Sequence, residues 1–184
     1  HGPDKLATLY VDLEKELGFR SHRISWVNWH YRFGQCNRSN WIDARCHCLI
    51  YSKTKNYTWN PEAVLVESDR VKYKDKRIKD SVRGGKRLPG NVWGIPSDGP
   101  YWGRVQGTSK ERCKGSPNQL PLRYLQRLIR AYTNPGDWVL DPFLGTGTTG
   151  LVAAREGRNF VGIDVSSKTL ESARNRITTG FYRS

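Results

Sequence analysis

Apolar residues first recur at helical spacing: Leu6, Leu9, Tyr10, Leu13 and Leu17 follow Asp4 and stop at Gly18. A capping carboxylate, one apolar stripe and a terminal glycine predict a helix over 4–18. Ile24-Ser25-Trp26-Val27 and the run from Cys46 to Tyr51 read as strands, with a polar, irregular stretch over 30–45 between them. From Glu67 to Gly115 glycines are frequent and the periodicity is weak, leaving only short strand-like pieces such as Asn91-Val92-Trp93. Pro121 then opens a helix with Leu125, Leu128, Ile129 and Tyr132 on one face and Arg123, Arg127 and Arg130 on the other. Asn134-Pro135-Gly136-Asp137 predicts a turn into a short buried strand, Trp138-Val139-Leu140. Leu151-Val152-Ala153-Ala154 predicts the first turns of a helix, Phe160-Val161-Gly162-Ile163 a second strand, and Ser167 the cap of a last helix carrying Leu170, Ala173 and Ile177. There is no internal repeat and no low-complexity tract.

Between the strand at 138–140 and the helix after it lies Asp141-Pro142-Phe143-Leu144-Gly145-Thr146-Gly147-Thr148-Thr149. A strand that breaks into glycines and restarts as a helix is how α/β proteins hold a nucleotide-like ligand. Glycine lets the backbone approach the ligand, and a helix N-terminus offers free N–H groups to an anion. The second strand ends in Asp164, about 20 residues on, where a carboxylate can bond ribose hydroxyls. On this reading a Cβ at Gly147 would occupy ligand space. The loop fits neither G-x-G-x-x-G nor the P-loop, since no lysine follows its last glycine.

Charge locates a second function. The 184 residues carry a net charge of +14. Residues 1–68 hold 9 basic and 7 acidic side chains, residues 69–115 hold 13 and 5, and residues 116–184 hold 9 and 5. More than half of the excess thus falls within 69–115, the footprint of a polyanion partner, most often nucleic acid. No apolar run approaches membrane-spanning length. Cys36, Cys46, Cys48 and Cys113 form no C-x-x-C pair, so no metal site is expected, and they read as reduced thiols of a cytoplasmic protein.

The loop resembles the S-adenosylmethionine loop of DNA amino-methyltransferases, Asp-Pro-Phe-x-Gly-Ser-Gly-Thr-Thr, departing from it only at Thr146. The resemblance extends from Asp4 to Ile177. Gly18-Phe19-Arg20, the strand through Trp26 and Leu49-Ile50-Tyr51-Ser52-Lys53 look like segments that follow the catalytic motif in the β-ordered group of these enzymes. Asn91-Val92-Trp93-Gly94-Ile95-Pro96, Ser109-Lys110-Glu111-Arg112 and Gln119-Leu120-Pro121 look like the family's run into its first cofactor helix. That run usually ends His-Pro-x-Gln-Lys-Pro; here Ser116 replaces the His and Leu120 the Lys.

The resemblance implies an α/β, Rossmann-like S-adenosylmethionine-dependent methyltransferase sheet, incomplete in this chain, with an inserted basic target-recognition region. The expected divisions are 1–68, the first part of the methyltransferase domain, 69–115, the target-recognition insertion, and 116–184, the cofactor-binding part. It also implies a cofactor set of Asp141, Pro142, Phe143, Gly145, Thr146, Gly147, Thr148, Thr149 and Asp164, joined by Gln119 and Pro121. Lys72, Lys74, Lys76, Arg77, Arg83, Lys86, Arg87, Lys110 and Arg112 are the expected contacts to duplex DNA. Tyr31, Phe33, Trp41, Tyr57 and Trp59, interleaved with Arg32, Arg38, Arg45, Lys53 and Lys55, would suit a groove for a strand and a flipped base, with ordinary edge packing as the alternative.

The family's chemistry sits in an Asp/Asn/Ser-Pro-Pro-aromatic motif, which steers the target amine at the sulfonium methyl. No two of the nine prolines are adjacent, so the motif is absent. Asp98-Gly99-Pro100-Tyr101 is a partial imitation that turn chemistry explains. The chain begins at His1 and contains no methionine. The expectation is the C-terminal part of a DNA methyltransferase acting on adenine N6 or cytosine N4, partnered by its own missing N-terminal segment and inactive alone. A homodimer is compatible with this. The alternative is a non-catalytic DNA-binding module that keeps a relic cofactor loop.

Overall fold

The computed structural model describes residues 9, 12, 16, 22–31, 39, 41–96, 102–107, 109–113 and 118–180. Leu9, Asp12 and Glu16 are helical; the rest of the predicted 4–18 helix lies outside the described residues, as does Asp98-Gly99-Pro100-Tyr101. The chain divides into two compact units, one of residues 1–57 and 64–103, the other of 58–63 and 104–184. These units do not follow the boundaries at 68 and 115. Most of the basic stretch clusters with the first two strands, and six residues ahead of it belong with the C-terminal unit.

In the first unit β1 (His22–His30) pairs antiparallel with β2 (Arg45–Ser52), running from His22 opposite Ser52 to His30 opposite Arg45, with an irregularity between Arg23 and Ser25. Both strands are longer than the apolar runs that announce them. Val27, Trp29 and Cys48 are buried. The short β3 (Val66–Glu67) and β4 (Lys86–Arg87) form an antiparallel pair, with α1 (Asp69–Lys72) between them in sequence. Then β5 (Val92–Trp93) joins β1 in parallel. Gly94 makes this join possible: its φ is 79°, and a Cβ there would collide with the His30 carbonyl. The Trp29 ring stacks on Trp102 with centroids 6.4 Å apart and donates its N–H to the Trp102 carbonyl at 3.3 Å.

The second unit is built on two parallel strands, β6 (Trp138–Asp141) and β7 (Asn159–Gly162), in register from Trp138 opposite Asn159 to Asp141 opposite Gly162. Around them are α2 (Leu122–Tyr132), α3 (Thr148–Arg155) and α4 (Ser167–Thr179). Leu122, Ile129, Leu151, Val152 and Ala153 form the core, with Leu125, Val139, Phe160 and Ile177 packed against it. Alternation decides the strands. Val139 and Phe160 turn to the helices, whereas Trp138, Leu140, Val161 and Ile163 are exposed. The strand at 138–140 is therefore buried on one face only; Trp138 is 70% and Leu140 61% exposed.

Two helix expectations change. Arg127, expected on the polar face of α2, is buried. The cap of α4 is Ser166, not Ser167: its hydroxyl accepts from the Thr169 amide at 3.3 Å. Asn60 terminates α2 from outside it. The Asn60 amide donates to the Ala131 carbonyl at 2.8 Å, and its Nδ2 donates to the carbonyls of Arg130 and Thr133 and to Asn134 Oδ1. Glu156 ties α2 to the end of α3, accepting from Gln126 at 2.6 Å and from Arg130 at 2.8 and 2.9 Å. Partial burial would raise its carboxyl pKa, but the bonds from Arg130 and Gln126 and the nearby positive charges outweigh this and hold it low.

Candidate functional site

The carboxyl end of β6 leads through a tight loop into α3. Gly145 and Gly147 have φ of 52° and 73°, the left-handed region that glycine alone adopts without cost. Gly147 is the N-cap of α3 and offers no side-chain acceptor, so the first amides of the helix receive none from their cap. A Cβ at Gly147 would lie 3.0 Å from the Ala173 Cβ and 3.3 Å from its carbonyl oxygen. The space beside this glycine is thus taken by α4, which corrects the expectation that it is ligand space. At Gly145 a Cβ would meet only the Phe143 carbonyl, at 3.8 Å.

Two carboxylates hold the loop. Asp141 Oδ1 accepts from the Phe143 amide at 3.0 Å, and Oδ2 accepts from the Thr149 hydroxyl at 2.6 Å. It spans the loop from its entry to the first turn of α3. Asp164, just past β7, accepts from the Gly145 amide at 2.9 Å and from the Ser166 amide at 3.0 Å. The Ser166 bond foremost, then those of Gly145 and Val165, hold the Asp164 carboxyl below its ordinary value. The Leu144 amide donates to the Ile163 carbonyl at 2.8 Å, so the loop is stitched to β7 by backbone as well. Each carboxylate oxygen has a second lone pair, and the loop leaves Phe143 87% exposed.

The expected cofactor residues thus gather at one place, with Gln119 and Pro121 standing apart in role. Pro121 is the N-cap of α2 and buried. Gln119 is also buried, its Oε1 accepting from the Cys113 amide at 2.8 Å and its Nε2 donating to the Glu111 carbonyl at 2.5 Å. Glu111 in turn accepts from the Leu122 amide at 3.0 Å. This side chain braces the approach to α2.

The basic residues sort into two groups. Asp69 engages Lys72 at 3.3 Å and Arg87 at 3.8 Å; Asp75 engages Arg77 at 2.6 Å and Arg70 at 3.8 Å. The bonds from Arg77 lower the Asp75 carboxyl to about 2. Lys74, with φ of 50°, Lys76, Lys86 and Lys110 are exposed; Arg83 is half-buried, and Arg112 donates to the Gly107 carbonyl at 3.3 Å. Of the aromatics expected to line a groove, Trp59 packs on Tyr132 at 5.4 Å, and Trp41 and Tyr57 are exposed. Phe33, Arg32 and Arg38 lie outside the described residues. Among the described residues no group of three or more His, Cys, Asp or Glu is placed to hold a metal, and no helix is long and apolar enough to cross a membrane.

One residue of the site escapes sequence reasoning. Arg176 of α4 is 6% exposed and bonds both Thr146 and Thr148. Its signal is faint: it flanks the stripe of Ala173 and Ile177, where a solvated arginine would be out of place.

A parallel strand pair, with a glycine loop after the first strand and a carboxylate gripping that loop after the second, is the nucleotide-binding half of a doubly wound α/β fold. The chain belongs to the DNA methylase family, which it matches over residues 1–175. It is 36% identical over 140 residues to the DNA adenine methyltransferase YhdJ of Escherichia coli (strain K12), covering 74% of this chain and 45% of that protein. It is 31% identical over 181 residues to the type II methyltransferase M.HpaI of Haemophilus parainfluenzae, covering 98% and 52%. The chain spans about half the length of these relatives. Its fold is that of the M1.HpyAVI–SAM complex, with a TM-score of 0.63 at 21% identity over 95% of this chain and 71% of that one. The cytosine-N4-specific PvuII DNA methyltransferase gives 0.62 at 19%, over 92% and 55%.

Proposed function

We propose that this chain is the cofactor-binding and DNA-contacting part of a DNA methyltransferase that moves a methyl group from S-adenosylmethionine to the amino group of adenine, or of cytosine, in duplex DNA. The observation that carries this is the glycine loop braced at both ends by Asp141 and Asp164, in a member of the DNA methylase family.

The residues present fit the cofactor. An uncapped helix N-terminus suits a carboxylate, a strand-end carboxylate suits ribose hydroxyls, and an exposed aromatic on the loop suits a flat base. Asp164 would accept from the ribose with the lone pairs its amide bonds leave over, while Asp141 keeps the loop in shape. Thr146, Thr148, Thr149 and the two glycines would form the floor. Pro142 fixes the turn, and Gln119 with Pro121 fixes the start of α2 behind it. When bound, S-adenosylmethionine supplies an electrophilic methyl on sulfur.

Lys74, Lys76, Lys86 and Lys110 would meet phosphates, with Lys72, Arg77, Arg83, Arg87 and Arg112 adding to the field or reading guanine edges. Holding the target amine in line with the methyl falls to an Asp-Pro-Pro-aromatic segment, which the 184 residues do not contain and a further segment of the same protein would bring. The relative named an adenine methyltransferase favours adenine.

Calorimetry with S-adenosylmethionine on the intact protein, this chain joined to the segment that brings the catalytic motif, tests the reading. The wild type should bind, and Asp164→Ala should weaken binding about tenfold, the effect of one hydrogen bond to a charged group. Equal affinities would remove Asp164 from the site. A wild type with no affinity would sink the cofactor assignment as a whole.

A further inference from the structure

Arg176 turns one guanidinium nitrogen to the loop. Its Nη1 donates to the Thr146 carbonyl at 2.9 Å, the Thr148 hydroxyl at 3.0 Å and the Thr146 hydroxyl at 3.3 Å, residues 28 to 30 positions away in sequence. The two hydroxyls are themselves 3.2 Å apart. One nitrogen therefore gathers the oxygens of the last loop turn and of the first residue of α3. Burying a guanidinium is costly, and an apolar side chain of similar volume often fills such a position as well. Packing alone does not account for an arginine.

What it does account for is the polarity of the loop. A Thr146 carbonyl held against Arg176 is not turned toward a ligand, where its partial negative charge would repel a carboxylate. The cation also adds a full charge to the positive end of the α3 dipole, which has no capping side chain of its own. A positive charge behind free amides favours an anionic group in front of them.

We propose that Arg176 is a positioning residue that makes the N-terminus of α3 selective for the carboxylate of an amino-acid-bearing nucleoside. It acts through Thr146 and Thr148 rather than by touching the ligand. The proposal rests on the cofactor reading above. The missing carboxylate of decarboxylated S-adenosylmethionine is the probe that isolates it, because nucleoside and sulfonium are otherwise the same.

The chain joined to the segment that brings the catalytic motif, as wild type, Arg176→Gln and Arg176→Lys, is titrated calorimetrically with both compounds. The wild type should prefer the carboxylated ligand. Arg176→Gln should lose about tenfold on that ligand and nothing on the decarboxylated one, the effect of one charge-assisted interaction. Arg176→Lys keeps the charge on a single donor nitrogen of different reach, and should recover part of the preference. Thr148→Val keeps Arg176 and removes one of its acceptors. It serves where Arg176→Gln does not fold, and must show the same loss of preference in smaller measure. Equal weakening toward both ligands means that Arg176 only supports the fold, and overturns the proposal; so do an unchanged preference and a wild type without one. A wild type that binds neither compound defeats the cofactor reading itself, and the proposal with it.

Discussion

Single residues carry the loop in two ways that a substitution can separate. Gly147 is needed for its φ of 73° and for the 3.0 Å approach of Ala173. Gly147→Val should therefore cost about 1–3 kcal/mol of stability with no ligand present, from overpacking and a strained backbone. Thermal unfolding of the ligand-free chain checks this; an unchanged midpoint would return the glycine to the role of ligand clearance.

Asp164 acts through its charge. Its folded carboxyl lies below the unfolded value of 3.8, so its bonds contribute fully above that value and are lost as pH falls through the lower, folded one. Unfolding midpoints should therefore drop in acid, below about pH 4, and Asp164→Asn should flatten part of that drop. A wild-type profile no steeper than that of the variant would show that the carboxylate is not what stitches the loop to β7.

Among the elements, the basic stretch holds its cations in two different states. Its cation count is high, but Asp69 and Asp75 engage Arg70, Lys72, Arg77 and Arg87. Exposed pairs of this kind add little stability, yet they damp the field available to a phosphate. Replacing Lys74 and Lys76 with alanine should flatten the salt dependence of duplex binding, by about 0.9 in slope for each phosphate that is no longer neutralised. Replacing Lys72 and Arg77 should flatten it less. Titrations across salt concentrations measure both, and equal effects would mean that the acidic residues do not hold their partners in solution.

The same contrast explains what the sequence can tell. The strand, glycine loop and helix at 138–155 are legible because apolar runs and glycines act locally. The cap of α2 is not, because Asn60 reaches it from 70 positions away. Nor are the bonds of Asp141 to Phe143 and Thr149, since a carboxylate beside a loop can brace it, serve a ligand or do both. The strand β6 reads in sequence as buried because its apolar residues are continuous, yet it has helices on only one described face.

In the second unit Trp138, Leu140, Val161 and Ile163 are exposed on one apolar side of the strand pair, opposite the helices described. Patches of this kind mark interaction sites or aggregation liabilities. In the proposed reading the face belongs against further parts of the same protein, which also supply the catalytic motif. The 184-residue chain should then show no methyl transfer to any duplex and poor solubility. Adding a segment that carries the Asp-Pro-Pro-aromatic motif, in line or as a second chain, should on that reading restore both together. Radiolabelled methyl transfer and sedimentation follow the two properties; robust transfer by the chain alone would overturn the assignment and direct attention to Asp98 and Tyr101.

Residues 58–63 have a different consequence. They precede the basic stretch in sequence but belong to the C-terminal unit, held by Asn60 on the end of α2 and by Trp59 on Tyr132. The polypeptide leaves that unit at 64 and re-enters it at 104. A protease that nicks the chain anywhere between those points breaks one covalent link and leaves this clasp untouched. The nicked protein should run as two pieces under denaturing conditions and as one under native conditions. The gene could for the same reason be divided within that span, and its two products would find each other through six residues that look, in sequence, like an ordinary linker.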